Sequence, residues 1–355
     1  MVGIYVGGTS AYCGKHTIAM SLAVTLQEQG YRIGYMKPVG TLPLEKDGKT
    51  GDEDAFFMQE VLGLSEDPQK VTPVVVDQDF RMKTFRSTCE AGLLMGKIKS
   101  AYQELGRDKD VMIVVGAGSM LSGKYCNLDG VSIVRALDLY AIGLDRYVHH
   151  IAYDYFFWLQ EVLQEKLLGM LLNDIPPAFQ SELDTMLIPM FKQKGLCVLG
   201  VVPRDPLLGA ISVSELAQCL GGRLLCASSK SERVVEDFLI GTMQVENFTT
   251  YFKKKRNTAI IVGGDRSDVQ FVALEGECPC LILTGNIYPS DVVMTRAEAL
   301  DVPVLVVRDD TYVVSGQVED ILNRHKQRDR SKVEHVTQFV SSYIDLDAIK
   351  NRLKF

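Results

Sequence analysis

The stretch Gly3-Ile4-Tyr5-Val6-Gly7-Gly8-Thr9-Ser10-Ala11-Tyr12-Cys13-Gly14-Lys15 decides the fold. Gly3–Gly7 reads as a buried strand, and the amphipathic run Lys15–Gln29 behind it reads as a helix. Strand, glycine-rich turn and helix, in that order, is the context in which a phosphate loop forms. The backbone N–H groups of such a turn, with the positive end of the helix, hold phosphate oxygens. Gly14 lets the backbone approach closely, and Lys15 supplies a point charge to the β and γ phosphates. Gly8, Thr9, Ser10, His16 and Thr17 complete the expected nucleotide-binding set. The spacing from Gly8 to Gly14 is one residue longer than the commonest Walker form. A glycine-rich turn with no ligand is the plainer alternative.

Outward from this loop, short apolar runs alternate with helical patterns. Strands are expected at Arg32–Met36, Val111–Val115, Leu144–His150, Gly169–Leu172 and Val198–Val202. Helices are expected at Glu53–Leu62, Phe80–Leu105 and Tyr155–Glu165, with Gly30 ending the first helix. Strands that are apolar on both faces and separated by helices predict an α/β domain, a parallel sheet with helices on both faces. Two prolines in Val202-Pro203-Arg204-Asp205-Pro206 mark a boundary. A second, smaller alternation follows at Gly222–Cys226, Thr242–Val245, Thr258–Val262, Pro279–Leu283 and Val304–Val307. The expected division is 1–203, 204–325 and a helical tail, 326–355.

Bulk properties narrow the function. At 355 residues the chain exceeds what one core usually organises. A net charge of -7 argues against nucleic-acid binding, which rests on an excess of Lys and Arg. The basic run Arg324–Arg330 reads as a solvated face. No apolar run reaches the roughly 18 residues of a membrane span, and no export signal precedes the first strand, so a cytoplasmic protein is expected. Cys197, Cys219 and Cys226 lie in apolar segments as small hydrophobes; Cys278-Pro279-Cys280 is the only close pair and has no second pair at zinc-site spacing.

Gly8-Thr9-Ser10 followed by Gly14-Lys15 resembles the loop of the dethiobiotin synthetase family, whose relatives include cobyrinic acid amidases. Tyr35-Met36-Lys37-Pro38-Val39 matches the family's Lys-Pro-Val motif, and the resemblance implies that Lys37 contacts substrate and the transferred phosphate. It places Lys37 at the carboxyl edge of a parallel strand, where ligands of open α/β sheets bind. Asp54 matches the family's metal-binding aspartate, with Asp52 and Glu53 close enough to substitute; Asp52 equally reads as a helix cap. Gly116-Ala117-Gly118 matches the Glu-Gly-Ala-Gly turn, and Asn173 in Asn173-Asp174-Ile175-Pro176-Pro177 is the implied base reader, although such a turn needs no ligand to explain it.

Three positions depart from that pattern. His16 stands where a Ser or Thr should ligate magnesium, and imidazole is a poor partner for that hard ion. Thr17 is about 100° further round the helix. Val115 replaces the acidic residue before Gly-Ala-Gly, and Tyr12 aligns with a glutamate of the family's loop. Such a site is expected to bind ATP or another nucleotide through backbone and Lys15 but to catalyse poorly, with magnesium left open.

The second half, from about Val202 to Val314, resembles the DRTGG domain. Gly263-Gly264-Asp265-Arg266, Leu283-Thr284-Gly285-Asn286 and Pro289-Ser290-Asp291 carry the likeness, with Gly263, Gly264, Asp265 and Arg266 as candidate site residues; a structural turn is the plainer reading there. DRTGG domains accompany dethiobiotin-synthetase-like domains at the N-terminal side of some phosphate acetyltransferases, where they look regulatory. The chain ends at Phe355, so acetyl transfer is not expected of it alone. The combined resemblance implies a regulatory protein that senses a nucleotide or phosphate-bearing small molecule, without nucleic-acid or membrane partners. It also implies a homodimer and a regulated enzyme partner. An ATP-dependent ligase that activates a carboxylate or carbamate is the competing reading.

Overall fold

The computed structural model describes residues 1–86, 91–205, 208, 210–325 and 332–353. The basic run Arg324–Arg330 falls almost wholly outside them, as do Pro206 of the expected boundary and Ser331, Lys354 and Phe355 of the tail. The chain divides into two compact units. Met1–Arg204 joins the described residues of Arg328–Phe355, and Asp205–Gln327 forms the other.

The first unit is built on six parallel strands: β1 (Val2–Gly8), β2 (Ile33–Met36), β3 (Val111–Val115), β4 (Tyr140–Arg146), β5 (Leu167–Ile175) and β6 (Val198–Pro203). They lie in the order β6-β5-β4-β1-β3-β2. Both neighbours of β1 run parallel to it, with Ile4 opposite Ile113 and Val6 opposite Ile142. All five residues of β3 are buried. Each such Val, Ile or Met contributes about 1.5–3 kcal/mol on leaving water, which selects the centre of the sheet for the most continuously apolar runs. Helix α1 (Lys15–Glu28) buries Ile18, Leu22 and Leu26 on the sheet side. It ends where Gly30 takes a φ of 91° and donates its N–H to Gln27.

The tail helices Val333–Ser341 and Leu346–Leu353 are part of this unit. The first buries Val336 and Val340 against α1, and the Asp345 N–H donates to Leu199 of β6 at 2.7 Å. Expected elements shift in three places. The fourth strand occupies Tyr140–Arg146, not Leu144–His150, because Asp138 in the left-handed region ends the preceding helix and Leu139 starts the apolar run. The expected helix Phe80–Leu105 appears as Gln78–Arg86 and Ala91–Leu105, with 87–90 outside the described residues. An unexpected hairpin, Pro43–Lys46 with Lys49–Asp52, leads into helix α2 (Glu53–Val61).

The second unit carries β7 (Arg223–Cys226), β8 (Asp237–Ile240), β9 (Thr258–Gly263), β10 (Leu281–Thr284) and β11 (Val304–Val306), in the order β7-β11-β10-β9-β8. Within this sheet only β7 runs antiparallel to its neighbour. Alternate residues feed two cores. Ile260, Val262, Leu281 and Leu283 pack with Phe248, Val269 and Val293, whereas Ala259, Ile261, Ile282 and Leu305 pack with Leu216, Val314 and Val318. The period-two alternation of a strand sends neighbours to opposite faces, so both faces are covered. The strand expected at Thr242–Val245 is absent. The edge strand is Asp237–Ile240, and Val245 already begins a helix that runs to Phe252.

Candidate functional site

The turn between β1 and α1 has the shape its residues dictate. Gly14 takes a φ of 98° at the cap of α1, a region that side-chain-bearing residues rarely adopt. No side chain caps the helix and no acidic residue lies in its first turn, so the N–H groups there, including those of Lys15, His16 and Thr17, face the loop. Lys15 is buried. Its Nζ folds back to the Ser10 carbonyl oxygen at 3.0 Å and lies 3.7 Å from Cys13 Sγ. Among the described residues it pairs with no carboxylate. Tyr12 is exposed, in the left-handed region. Gly116 donates its N–H to Val6 at 3.1 Å, which ties the turn after β3 to β1, and Gly118 follows in the left-handed region.

Two residues from distant strands hold the loop. Asn173 on β5 donates from Nδ2 to the Cys13 carbonyl at 2.9 Å. Asp145, buried on β4, accepts from the Thr9 hydroxyl through Oδ1 and from the Ala152 N–H through Oδ2, the latter at 2.7 Å. Asp145 is missing from the sequence-derived set. Its signal was a single carboxylate near the end of an apolar strand, hidden by placing that strand four residues late. Beside Asn173, Asp174 takes Arg146 Nε at 2.7 Å and Arg204 Nε at 2.9 Å.

Lys37 lies beyond the end of β2 with only 2% of its surface exposed. Its ammonium contacts Asp52 Oδ1 at 2.7 Å and Asp54 Oδ2 at 2.6 Å. Asp52 also caps α2 by accepting from the Asp54 N–H at 3.0 Å, and its other oxygen accepts from the Thr41 and Leu42 N–H groups at 2.9 and 3.0 Å. Cap and ion pair are therefore one arrangement. His16 Nε2 reaches Asp54 Oδ2 at 3.1 Å, which connects the first turn of α1 to this cluster. Burial, and then the charges of Asp54 and Asp52, hold the buried Tyr35 hydroxyl protonated well above the ordinary tyrosine range. A buried ammonium shared by two carboxylates, each with further hydrogen bonds, is costly to break at any one member.

These donors do not suit magnesium. The ion prefers hard oxygen in a tight octahedron, taken from one or two carboxylates plus phosphate and water. Here His16 stands at the hydroxyl position, Val115 is apolar, and Asp54 Oδ2 already receives an ammonium and an imidazole nitrogen. Among the described residues no three His, Cys, Asp or Glu side chains gather to hold a metal. A phosphate group does suit the loop, through backbone N–H groups and Lys15.

In the second unit, Gly263-Gly264-Asp265-Arg266 joins β9 to helix α3 (Ser267–Glu275). Arg266 pairs with Asp268 through Nε at 2.9 Å and Nη2 at 3.0 Å, and also donates to the Met243 carbonyl at 3.2 Å. The hydrogen bonds to Asp268 raise the guanidinium's pKa. Asp265 is exposed. Fully buried Gln270 donates to the carbonyls of Gly263 and Gly264 at 3.0 Å each. Cys278 and Cys280 sit in different cores of this unit, so they do not form one metal or redox site.

The phosphate loop on a parallel sheet defines a P-loop NTPase-type domain, followed by a separate smaller α/β unit. Residues 2–212 match an AAA domain family and residues 215–321 match the DRTGG domain. The first match spans more than half of the chain, which therefore belongs to that AAA domain family. Similar proteins include the phosphate acetyltransferase of Pseudomonas putida, 22% identical over 97% of this chain and 51% of the relative. The ATP-dependent dethiobiotin synthetase of Methanococcus vannielii is 28% identical over 40% of this chain and 64% of its own. The chain thus spans about half the length of the phosphate acetyltransferases it matches most fully. A solved structure of the CBS and DRTGG domains of Clostridium perfringens pyrophosphatase, complexed with diadenosine tetraphosphate, is 16% identical over 38% of this chain and 67% of its own, with a TM-score of 0.29. No described helix is long and apolar enough to cross a membrane.

Proposed function

We propose that this chain is a regulatory protein whose phosphate loop binds ATP, another nucleotide or a phosphate-bearing metabolite, with little or no phosphoryl transfer. The observation that carries the reading is Lys15. It is buried in the loop, next to an uncapped helix N-terminus, with no carboxylate among the described residues to neutralise it. An anion is the ligand such a site favours. The departures at His16 and Val115 favour binding over catalysis, because phosphoryl transfer takes much of its rate from a well-held metal. The likeness to phosphate acetyltransferases supports a regulated enzyme as partner, and a homodimer whose contacts respond to occupancy of the loop is part of the same proposal. Such a response requires the ligand to prefer one conformation over the other.

Calorimetry with ATP, ADP and GTP, run beside a phosphate-release assay, tests the reading. Saturable binding that Lys15→Ala abolishes, without turnover, is the expected result. No binding of any phosphate compound would overturn it.

The retained Lys37 and Asp54 favour a second reading, an ATP-dependent ligase of the dethiobiotin synthetase kind that activates a carboxylate or carbamate. In it, substrate would draw Lys37 out of its ion pairs toward the transferring phosphate. A large gain of ATPase on combining His16→Ser with Val115→Glu would support a decayed active site of that kind.

A further inference from the structure

We propose that the phosphate loop takes its ligand without a divalent cation, because Lys37 occupies the carboxylates that would otherwise hold one. This rests on the reading of the loop as a phosphate site. In a metal-dependent phosphate loop, a hydroxyl on the first turn and an acidic side chain nearby gather around an ion that neutralises the phosphates. Each of those components is present here in altered form. The hydroxyl position carries His16, whose Nε2 is turned to Asp54 at 3.1 Å. Asp54 lies against the Lys37 ammonium at 2.6 Å, and Asp52 against the same ammonium at 2.7 Å. Both oxygens of Asp52 are further engaged by three backbone N–H groups.

An incoming divalent ion at Asp54 Oδ2 would have to share an oxygen already taken by an ammonium and an imidazole. At contact distance the cations would repel one another, and in this buried setting solvent would screen them little. Removing Lys37 to make room would leave its ammonium to find new partners, or leave two buried carboxylates short of one. The cluster therefore does internally what a metal does in related loops: it neutralises the acidic edge of the sheet beside the phosphates. Lys15 and the helix N-terminus then face the ligand directly. The ligand class this implies is a nucleotide or phosphometabolite in its metal-free form.

Calorimetric titration of the full chain with ATP, once in EDTA and once in excess magnesium, tests the inference. Electron paramagnetic resonance of manganese with ATP, with and without protein, adds a readout independent of any activity. Affinity is expected to be no tighter in magnesium than in EDTA, and weaker there to the extent that the metal draws ATP off as its complex. The manganese–ATP spectrum is expected to be unchanged by protein. Tightening by about tenfold or more in magnesium, or a new protein-dependent manganese signal, would overturn the inference and leave the phosphate site standing. Absence of ATP binding in both buffers, if inorganic phosphate and pyrophosphate also fail to bind, would bring down the site reading and this inference with it. Lys37→Gln frees the carboxylates, so magnesium should now tighten binding by roughly tenfold, about one charge-assisted contact. A folded Lys37→Gln protein that ignored magnesium would show that the ammonium is not what excludes the metal. Should that variant not fold, His16→Thr decides: it restores the hydroxyl but leaves Lys37 on both carboxylates, so it is expected to stay indifferent to magnesium, and a roughly tenfold tightening there would show that the histidine and not the ammonium excludes the metal.

Discussion

Asn173 and Cys13, 160 residues apart in sequence, are joined by a 2.9 Å hydrogen bond from the Asn173 amide to the Cys13 carbonyl. The same nitrogen would lie 2.2 Å from a Cβ added at Gly14. The side chain implied by resemblance to read a base thus also props the phosphate loop from below. The two roles make different demands on a variant. Asn173→Ala is expected to weaken ATP and GTP binding alike, by several-fold, since one hydrogen bond worth about 0.5–1.5 kcal/mol is lost from the loop. Paired calorimetric titrations check this. A loss confined to ATP would mean that Asn173 reads the base.

Breaking the buried ion cluster should cost more than any surface pair. Lys37→Met leaves Asp52 and Asp54 without their shared cation, and a loss of about 3–5 kcal/mol is expected. Asp54→Asn removes one of the two charges and keeps much of the shape. In the double variant the losses should not add, and the difference from additivity measures the coupling. Urea unfolding of the four proteins in the cycle provides the data. Additive losses would mean that the ammonium and Asp54 do not depend on one another for stability.

The cysteines of the second unit offer a pH-dependent check. Burial pushes the Cys278 thiol up to about 12, and Cys280, also buried, is raised well above the ordinary range. In the unfolded chain a thiol ionises near about 8.5. Between those values the unfolded state binds fewer protons than the folded one, so stability falls as pH rises. The neutral Cys278 contributes fully below about 8.5, and its contribution declines by about 1.4 kcal/mol per pH unit above that. Urea unfolding of wild type and Cys278→Ala at pH 8 and pH 10 isolates the effect, and the variant is expected to show the shallower decline. Iodoacetamide at pH 8 should reach exposed Cys219 before either buried thiol, as read by mass spectrometry.

Much of this architecture was legible because one signal governs it. Val111–Val115 is apolar throughout and sits between β1 and β2, and the strand-turn-helix order at Gly3–Lys15 is reproduced in space. Ends were less legible. The start of β4 depends on Asp138 adopting a left-handed backbone, and a lone Asp carries little local signal for that. The site was legible as a set of residue types and not as a network. Spacing marks Lys37, Asp52, Asp54 and His16 as chemically able, but only the fold turns all four toward one another. Asp145 and its contact with Thr9 span 136 positions, so nothing local could pair them.

The turn Gly263-Gly264 tests whether its glycines serve packing. A Cβ added at Gly264 would lie 2.0 Å from the Ile287 carbonyl oxygen, a backbone atom that cannot swing aside. Gln270 holds the turn from the other direction by its two 3.0 Å hydrogen bonds to the carbonyls of Gly263 and Gly264. Gly264→Ala must therefore push β9 away from the segment after β10 or strain the turn against Gln270. A loss of about 1–3 kcal/mol is expected, the usual range for overpacking a tight site. Gln270→Leu removes the tether, so the alanine should cost less in that background, and the two changes should be non-additive. If Gly264→Ala instead left stability unchanged and altered only nucleotide binding or self-association, the glycine would be kept for a ligand or partner and not for the close approach of two backbones.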